Sequence, residues 1–465
     1  MIPLSLSQIA RAVDAELVAA DAADLVVDGP VVIDSRLAGP GSLYVARIGE
    51  HADGHQFAPA AVANGAVAVL GLRPIEDVPT LVVPDVQDAF ARLARFVVDQ
   101  SPGLQIVGIT GSSGKTSTKD LLAQVLTTQG PTVAPVGSFN SEVGVPLTVC
   151  RVAPDTRYLV AEMGADGVGH IAYLTTIAPP RIGIVLNVGT AHLAGFGSVE
   201  AIASTKSELV AALPAEGLAI LNADDDRVRA MRAVTDARVL LVGTSADADL
   251  RASDVRLDDA GRAQFVVHGW AAEPVAVALR LAGAHHVGNA LAVLAAAREL
   301  RVPDEQALAA VQAAGPVSRW RMEIFDLPNG VRVVNDAYNA NPDSMAAALR
   351  ALAAMGSGRR TIAVLGQMLE LGDISLAAHE QVGRLAGQLG IDVLVAVGPG
   401  AEPIGTEAQA DGVSVRFVAD VDAAHEQLRG MMEDGDVVLF KSSRDSGLRY
   451  LGDRIITEAG GVVPQ

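Results

Sequence analysis

The chain has 465 residues, half of them hydrophobic, with 46 glycines and a formal net charge of −19. That length exceeds one ordinary core and predicts two or three domains, while the composition fits packed α/β layers rather than disorder. The acidic balance argues against a general nucleic-acid or membrane-surface binder, so positive contacts to any anionic substrate must be local. A single cysteine, Cys150, excludes an internal disulfide framework and suits a reducing compartment. The opening stretch MIPLSLSQIARAVDAEL is interrupted by Arg11, Asp14 and Glu16, so no signal peptide or membrane span is read and a cytoplasmic chain is expected. Of the 35 basic residues only Lys115, Lys119, Lys206 and Lys441 are lysines. Arginine excess is a composition bias, but a retained lysine then marks a need for a compact or neutralisable amine.

In chain order, residues 1 to about 100 alternate short apolar runs (VVIDSR, SLYVAR, AVAVL, TLVVPD) with helix-like segments such as 85-DVQDAFARLARFVVDQ-100. This predicts a small α/β domain, 1–102, closing at the SPG of 101–103. From QIVGIT onward, strand, loop and helix repeat through RYLVAEMG, IGIVLN and LAILNADDD. Such alternation predicts a mainly parallel sheet wrapped by helices, with a more β-like patch around 251–280. That central domain is assigned 103–315. GPVSR at 315–319 reads as a linker, and a third α/β unit, 316–465, follows through VRVVND, RTIAVLG, IDVLVAVG and DVVLFK.

The most informative junction is 111-GSSGKTSTK-119, between the strand-like QIVGI and a helix-like run. Glycines let backbone N–H groups turn toward an anion, the helix N-terminus adds its dipole, and lysine reaches the outer phosphates. Thr116 offers its hydroxyl to magnesium. A strict Walker pattern needs glycine at 109, where Ile109 stands, so only the compact G-x-x-G-K-T core at 111–116 matches. Lys119, one turn on, reads as an accessory or surface charge. Glu162 ends the strand RYLVAE, where a carboxylate beside a phosphate loop is placed to hold Mg²⁺. IGIVLN then delivers His192 in the glycine-rich loop 187-NVGTAHLAGFGS-198. Lys206 follows on an amphipathic helix, where a surface position is the ordinary fate and lysine rarity the counter-argument. In 221-LNADDD-226, Asn222 or Asp224 is expected to cap a helix.

Together these motifs resemble the ATP-dependent muramyl ligases, which add amino acids to the peptidoglycan precursor. The likeness spans nearly the whole chain: 34-DSR-36, SLYVA, 54-GHQF-57, the phosphate loop, 137-GSFNSEVGVP-146, 162-EMG-164, 190-TAHLAGFGS-198, 203-ASTKSE-208, 283-GAHHVGNALA-292, RMEI, 335-NDAYNANPDSM-345, 364-VLGQMLELG-372 and 440-FKSSR-444. GSSGKTSTK, EMG and above all NDAYNANPDSM match the member that adds D-alanyl-D-alanine to UDP-N-acetylmuramoyl-tripeptide. Sister ligases, or a folylpolyglutamate synthetase, share the loop but not that combination. A nucleotide-switch protein would instead carry N-K-x-D after IGIVLN, where Asn187-Val188-Gly189 stands.

The resemblance implies three α/β domains: a UDP-substrate domain, a P-loop-type ATPase domain, and a Rossmann-like C-terminal domain contributing to ATP and D-Ala-D-Ala binding. It implies ATP cradled by Gly111, Ser112, Ser113, Gly114, Lys115, Thr116 and Ser117, with Asn289 by the adenine and Asp336 near the ribose. One Mg²⁺ would be held by Thr116 and Glu162 and a second by His192, Glu162 and Lys206, the last as a carbamate formed with CO₂. Lys115, His192 and Lys206 would be catalytic, and Arg321 would join on closure about a hinge at 315–323. Ser35 and Arg36 would contact the UDP-sugar and Asn140 the peptide end. Asn339, Asn341, Lys441, Ser443 and Arg444 would face the reaction centre. Trp320 stands where many members carry glycine, His286 where asparagine is common, and Ser442 where glycine is usual. An acyl-phosphate route needs no nucleophilic serine or cysteine. A monomer, with neither nucleic acid nor membrane insertion, is expected.

Overall fold

The computed structural model describes residues 1–49, 52–190 and 193–463. Besides a two-stranded antiparallel pair, Leu4–Ser5 with Val26–Val27, three larger sheets follow one another along the chain. The first has five strands in the order Glu16–Val18, Thr80–Val82, Ala66–Gly71, Ser42–Val45, Val31–Val32; only the first pair is antiparallel. The histidine of GHQF is a tie within this layer. His55 Nδ1 meets Asp53 at 2.6 Å, and Nε2 accepts the Leu72 N–H at 2.8 Å.

The helix Val86–Asp99 joins the first sheet to the second. Asp85 starts it by accepting the Gln87 and Asp88 N–H groups, and Val86, Ala89, Phe90, Leu93, Ala94 and Val97 fall on one buried face. That face shares a continuous core with Val145, Val149, Ile171 and Leu174 from the central region. Burying residues such as Phe90 or Leu93 is worth about 1.5–3 kcal/mol each, so this helix fixes the first layer on the second.

The central sheet has nine strands. Its order is Val275–Ala282, Arg262–His268, Leu250–Leu257, Arg238–Gly243, Leu218–Asn222, Ile182–Val185, Gln105–Thr110, Tyr158–Glu162, Thr132–Val133. The pairings from Leu250–Leu257 to Thr132–Val133 are parallel, and the last three strands in sequence make an antiparallel meander. The meander accounts for the β-like patch at 251–280. Tyr158–Glu162 and Ile182–Val185 are buried throughout because helices cover both faces. Gln105–Thr110 comes first in sequence but lies inside the sheet. The chain fills one side of it, then crosses to Ile182–Val185 on the other. The crevice that opens at such a crossing, beyond the strands' carboxyl ends, is where open α/β sheets bind ligands.

The third sheet orders Glu323–Asp326, Arg332–Asn335, Val437–Lys441, Thr361–Leu365, Val393–Val397, Ser414–Val418, parallel except for its first pair. The mixed α/β architecture read from the sequence is therefore observed.

Two local expectations are corrected. The helix Asp226–Ala230 is capped by Asp225, which accepts the Arg227 and Val228 N–H groups. Asn222 Oδ1 accepts the Asp224 N–H and Asp224 accepts from Thr244 and Ser245, so neither side-chain oxygen is free to cap that helix. Lys119 is not a surface charge: it is 1% exposed. Among the described residues no helix is long and apolar enough to cross a membrane.

Candidate active site

The strand Gln105–Thr110 ends in the loop 111–114, and the helix Lys115–Thr127 begins directly after it. Gly114 sits at that helix's N-cap with φ 82°, the left-handed region glycine enters without steric penalty, and a Cβ there would press on Asn289 Oδ1. The Lys115 ammonium folds back to donate to the Gly111 carbonyl at 2.7 Å. The loop is braced from the neighbouring strand. Asn187 accepts the Ser113 N–H at 2.9 Å on Oδ1 and returns a bond from Nδ2 to the Ser113 carbonyl, while its own carbonyl accepts the Ser112 N–H. Ser112 Oγ in turn accepts the Gly189 N–H at 2.8 Å. The motif reading passed over Asn187; its one signal was a polar residue ending an otherwise apolar strand.

Glu162, 1% exposed, closes the floor. Its Oε1 accepts from Asn140 Nδ2 at 2.7 Å and from the Thr116 hydroxyl at 3.3 Å, while its buried Oε2 has no hydrogen-bond partner among the described residues. Ser138, also missed, lies 2.8 Å from the Thr116 hydroxyl. Arg321 arrives from the third unit and donates to Ser138 Oγ at 3.0 Å, with its guanidinium over the Tyr338 ring at 4.2 Å. Both neighbours of Arg321, Trp320 (φ 58°) and Met322 (φ 52°), adopt the left-handed conformation. Glycine would enter that conformation without steric penalty. Here the indole N–H bonds Asp453 at 2.9 Å and Arg449 lies over the ring, offsetting roughly 1–2 kcal/mol of strain.

Two lysines lie in this cleft with no ion pair to a described carboxylate. Burial holds the Lys115 ammonium below its usual range, with Glu162 opposing and Arg321 reinforcing the shift. Lys206, on the helix Val199–Ala211, is lowered to about 7, first by burial and then by the charge of Lys115. Lys441 differs. It is 2% exposed and donates to Asp336 Oδ2 at 2.6 Å, to the Asp336 carbonyl and to the Asn339 carbonyl. It therefore clasps the 336–339 segment. Asn341 accepts the Ser344 N–H and caps the helix Pro342–Met355. Ser443 Oγ accepts the Leu369 N–H. The next residue but one after Asn341, Asp343, abuts the loop before His192: a Cβ on Gly189 would overlap its carboxylate.

One cleft of about 1280 Å³ gathers nearly all the residues singled out from sequence, from the 111–117 loop, Asn140, Glu162 and Lys206 to Asn289, Arg321, Asp336 and Arg444. Ser35 and Arg36 are not on its lining; Arg36 is exposed and paired with Asp34 at 2.6 Å. His192 lies outside the described residues. A phosphate cradle, a buried carboxylate with one unpartnered oxygen, and a cationic arm from another domain make a site suited to phosphoryl transfer.

The chain belongs to the Mur ligase family. Three family models cover it: the Mur ligase family catalytic domain at 30–97, the Mur ligase middle domain at 109–297, and the Mur ligase glutamate ligase domain at 320–444. Among individual relatives, the UDP-N-acetylmuramoyl-tripeptide–D-alanyl-D-alanine ligase of Mycobacterium tuberculosis is 45% identical, covering 100% of both chains. The Escherichia coli K12 ligase of the same name is 36% identical over 96% of this chain and 97% of its own. MurF from Acinetobacter baumannii superposes with a TM-score of 0.86 at 29% identity, covering 98% of this chain and 99% of that one. The MurF ligase of Thermotoga maritima in complex with ADP gives 0.80 at 28%, over 93% and 98%.

Proposed function

We propose that this chain is an ATP-dependent ligase that joins D-alanyl-D-alanine to UDP-N-acetylmuramoyl-tripeptide, giving the pentapeptide precursor, ADP and phosphate. The observation that carries the reading is the convergence of Glu162 and Arg321 on the Thr116 hydroxyl, next to Lys115: a phosphate loop from one domain roofed by a cation from the next. When bound, ATP supplies the γ-phosphoryl group that turns the tripeptide carboxylate into an acyl phosphate, which the dipeptide amine captures. The protein's share is to position and neutralise charge. The 111–117 amides cradle the phosphates, Lys115 turns from the Gly111 carbonyl toward them, and Arg321 adds charge from the far wall. Asn289 lines the adenine end and Asp336 the ribose end. The third domain keeps water from the acyl phosphate while the amine arrives.

Magnesium fits the residues present. The unpartnered Glu162 Oε2 and the adjacent Thr116 hydroxyl are hard oxygen donors, and an ion there would neutralise phosphate charge. A second ion would draw on Glu162, His192 and Lys206. Lys206 suits carbamylation: with its pKa near 7 the amine is substantially uncharged, and no described residue hydrogen-bonds it. Its lone pair would bond the CO₂ carbon and release one N–H proton to water, leaving a carboxylate-like group. In this reading Ser35 and Arg36 of domain 1–102 bind the UDP-sugar, Asn140 of domain 103–315 meets the peptide end, and Asn339, Asn341, Lys441, Ser443 and Arg444 of domain 316–465 form the D-Ala-D-Ala side. The enzyme works, in this reading, as a cytoplasmic monomer.

The test is an ADP-release assay with magnesium and bicarbonate, offering D-Ala-D-Ala and the UDP-tripeptide in its diaminopimelate or lysine form. ADP should appear one-for-one with pentapeptide and only when both substrates are present. No ADP with either tripeptide would sink the reading.

A further inference from the structure

Lys119 has no part in the reaction outlined above, yet it is among the most deeply buried large side chains in the molecule. Its ammonium donates to Asp120 Oδ1 at 2.5 Å and to the Pro135 carbonyl at 2.9 Å. The other oxygen of Asp120 accepts the Ser318 N–H at 3.2 Å. One turn further along the same helix, Gln124 exchanges two bonds with Gly315, Nε2 to the carbonyl at 3.0 Å and Oε1 from the N–H at 3.2 Å. Positions 120 and 124 thus grip the interdomain linker by its backbone, at i and i+4 on one helix face.

Two short stems leave this buried point. Three residues beyond Pro135 is Ser138, and three residues beyond Ser318 is Arg321. Their ends meet again over the phosphate loop, where Arg321 donates to Ser138 Oγ at 3.0 Å and reaches the Thr116 hydroxyl at 3.5 Å. We propose that Lys119 is a positioning residue: its single ammonium ties both stems at their base and so sets where Arg321 stands relative to Ser138 and Thr116. Lysine suits this place because a compact ammonium has donors for a carboxylate and a carbonyl at once, where a planar guanidinium would need a wider cavity. The inference rests on the ligase reading for its kinetic consequence, but its geometric content is independent of substrate.

The test compares the full-length protein with Lys119→Met, Arg321→Ala and the double variant, reading kcat and KM for ATP by ADP release. Lys119→Met should lower kcat about 10-fold or more with KM changed less than about 3-fold, since displacing a reacting group by about 1 Å costs up to 100-fold. In the Arg321→Ala background the same substitution should add less than about 2-fold, because the group it positions is gone. Losses that multiply independently would overturn the proposal. Amide hydrogen exchange gives a second readout: Ser318 should lose at least about 10-fold of its protection in Lys119→Met. Unchanged protection overturns the latch even if wild type turns nothing over, an outcome that by itself would refute only the ligase reading. If Lys119→Met does not fold, Gln124→Ala takes its place in the same cycle with Arg321→Ala, with the same criteria.

Discussion

Lys115 and Lys206, on helices beside the central sheet, and Lys441 of the third sheet are all half-buried or buried, and they live in opposite electrostatic settings. At the central cleft Lys115 bonds only a carbonyl and Lys206 bonds no described residue, and each is held below its ordinary pKa by burial. At the carboxyl end of an inner strand of the third sheet, Lys441 is matched by Asp336 at 2.6 Å and by two carbonyls. In the first region neither lysine is ion-paired to a described carboxylate, and the proposed reaction fills it with phosphate and CO₂. The second is neutralised in advance, so Lys441 holds the 336–339 segment of the proposed D-Ala-D-Ala side in place without adding net charge to it. Buried charge is thus left without an ion pair to a described carboxylate where it meets the reacting groups, and is paired where it holds a segment in place.

The widest separation between the two regions should come from Lys115→Ala. ADP formation should fall by about 100- to 1000-fold, as for loss of a central charge-stabilising donor, while the thermal midpoint stays at or above wild type. Turnover at the wild-type rate would erase the functional half of the comparison. Lys441→Met should do the reverse to stability, since it strands Asp336. Denaturant titration at pH 7 should show a loss of about 3–5 kcal/mol.

Lys206→Met sharpens the contrast by its sign. The group's pKa is about 7 in the folded chain against 10.5 ordinarily, so between those values the unfolded chain binds more protons and wild-type stability rises with pH. In CO₂-depleted buffer the methionine variant should therefore be more stable than wild type by roughly 2–4 kcal/mol below pH 7, with the gain vanishing near pH 10.5. A gain that did not shrink with pH would mean the lysine is not titrating there. Catalytically, Lys206→Ala should be nearly inactive and partly restored by a small carboxylate such as formate. Activity indifferent to both the mutation and CO₂ removal would defeat the carbamate.

The smallest effect is expected at Asn341→Ala. Loss of the cap should cost about 1 kcal/mol, and because Asn341 lines the cleft on the proposed D-Ala-D-Ala side the KM for the dipeptide should rise a few-fold. An unchanged KM would confine Asn341 to its capping role.

Legibility followed the range of the interaction. Strand–loop–helix alternation and the 111–116 loop are local patterns, set by side-chain periodicity and by which residues tolerate φ > 0. They could be read directly, and so could Glu162 at a strand's end. Asn222, Asp224 and Asp225 are all able caps, and the choice fell to Asp225 because the oxygens of the other two are taken by the Asp224 N–H and by Thr244 and Ser245. Lys119 was misread because helical spacing shows only that it lies one turn after Lys115. Whether that face meets water is decided by Pro135 and Ser318, the latter about 200 residues away in sequence.

By itself, then, the sequence determined the layer type, the phosphate loop and the family, since each rests on residues adjacent or one turn apart. The tertiary structure alone decided which lysines are ion-paired to a described carboxylate, which polar residues brace the loop, and how Arg321 reaches Thr116. Those outcomes depend on desolvation and on partners brought from distant parts of the chain, and no local pattern encodes either.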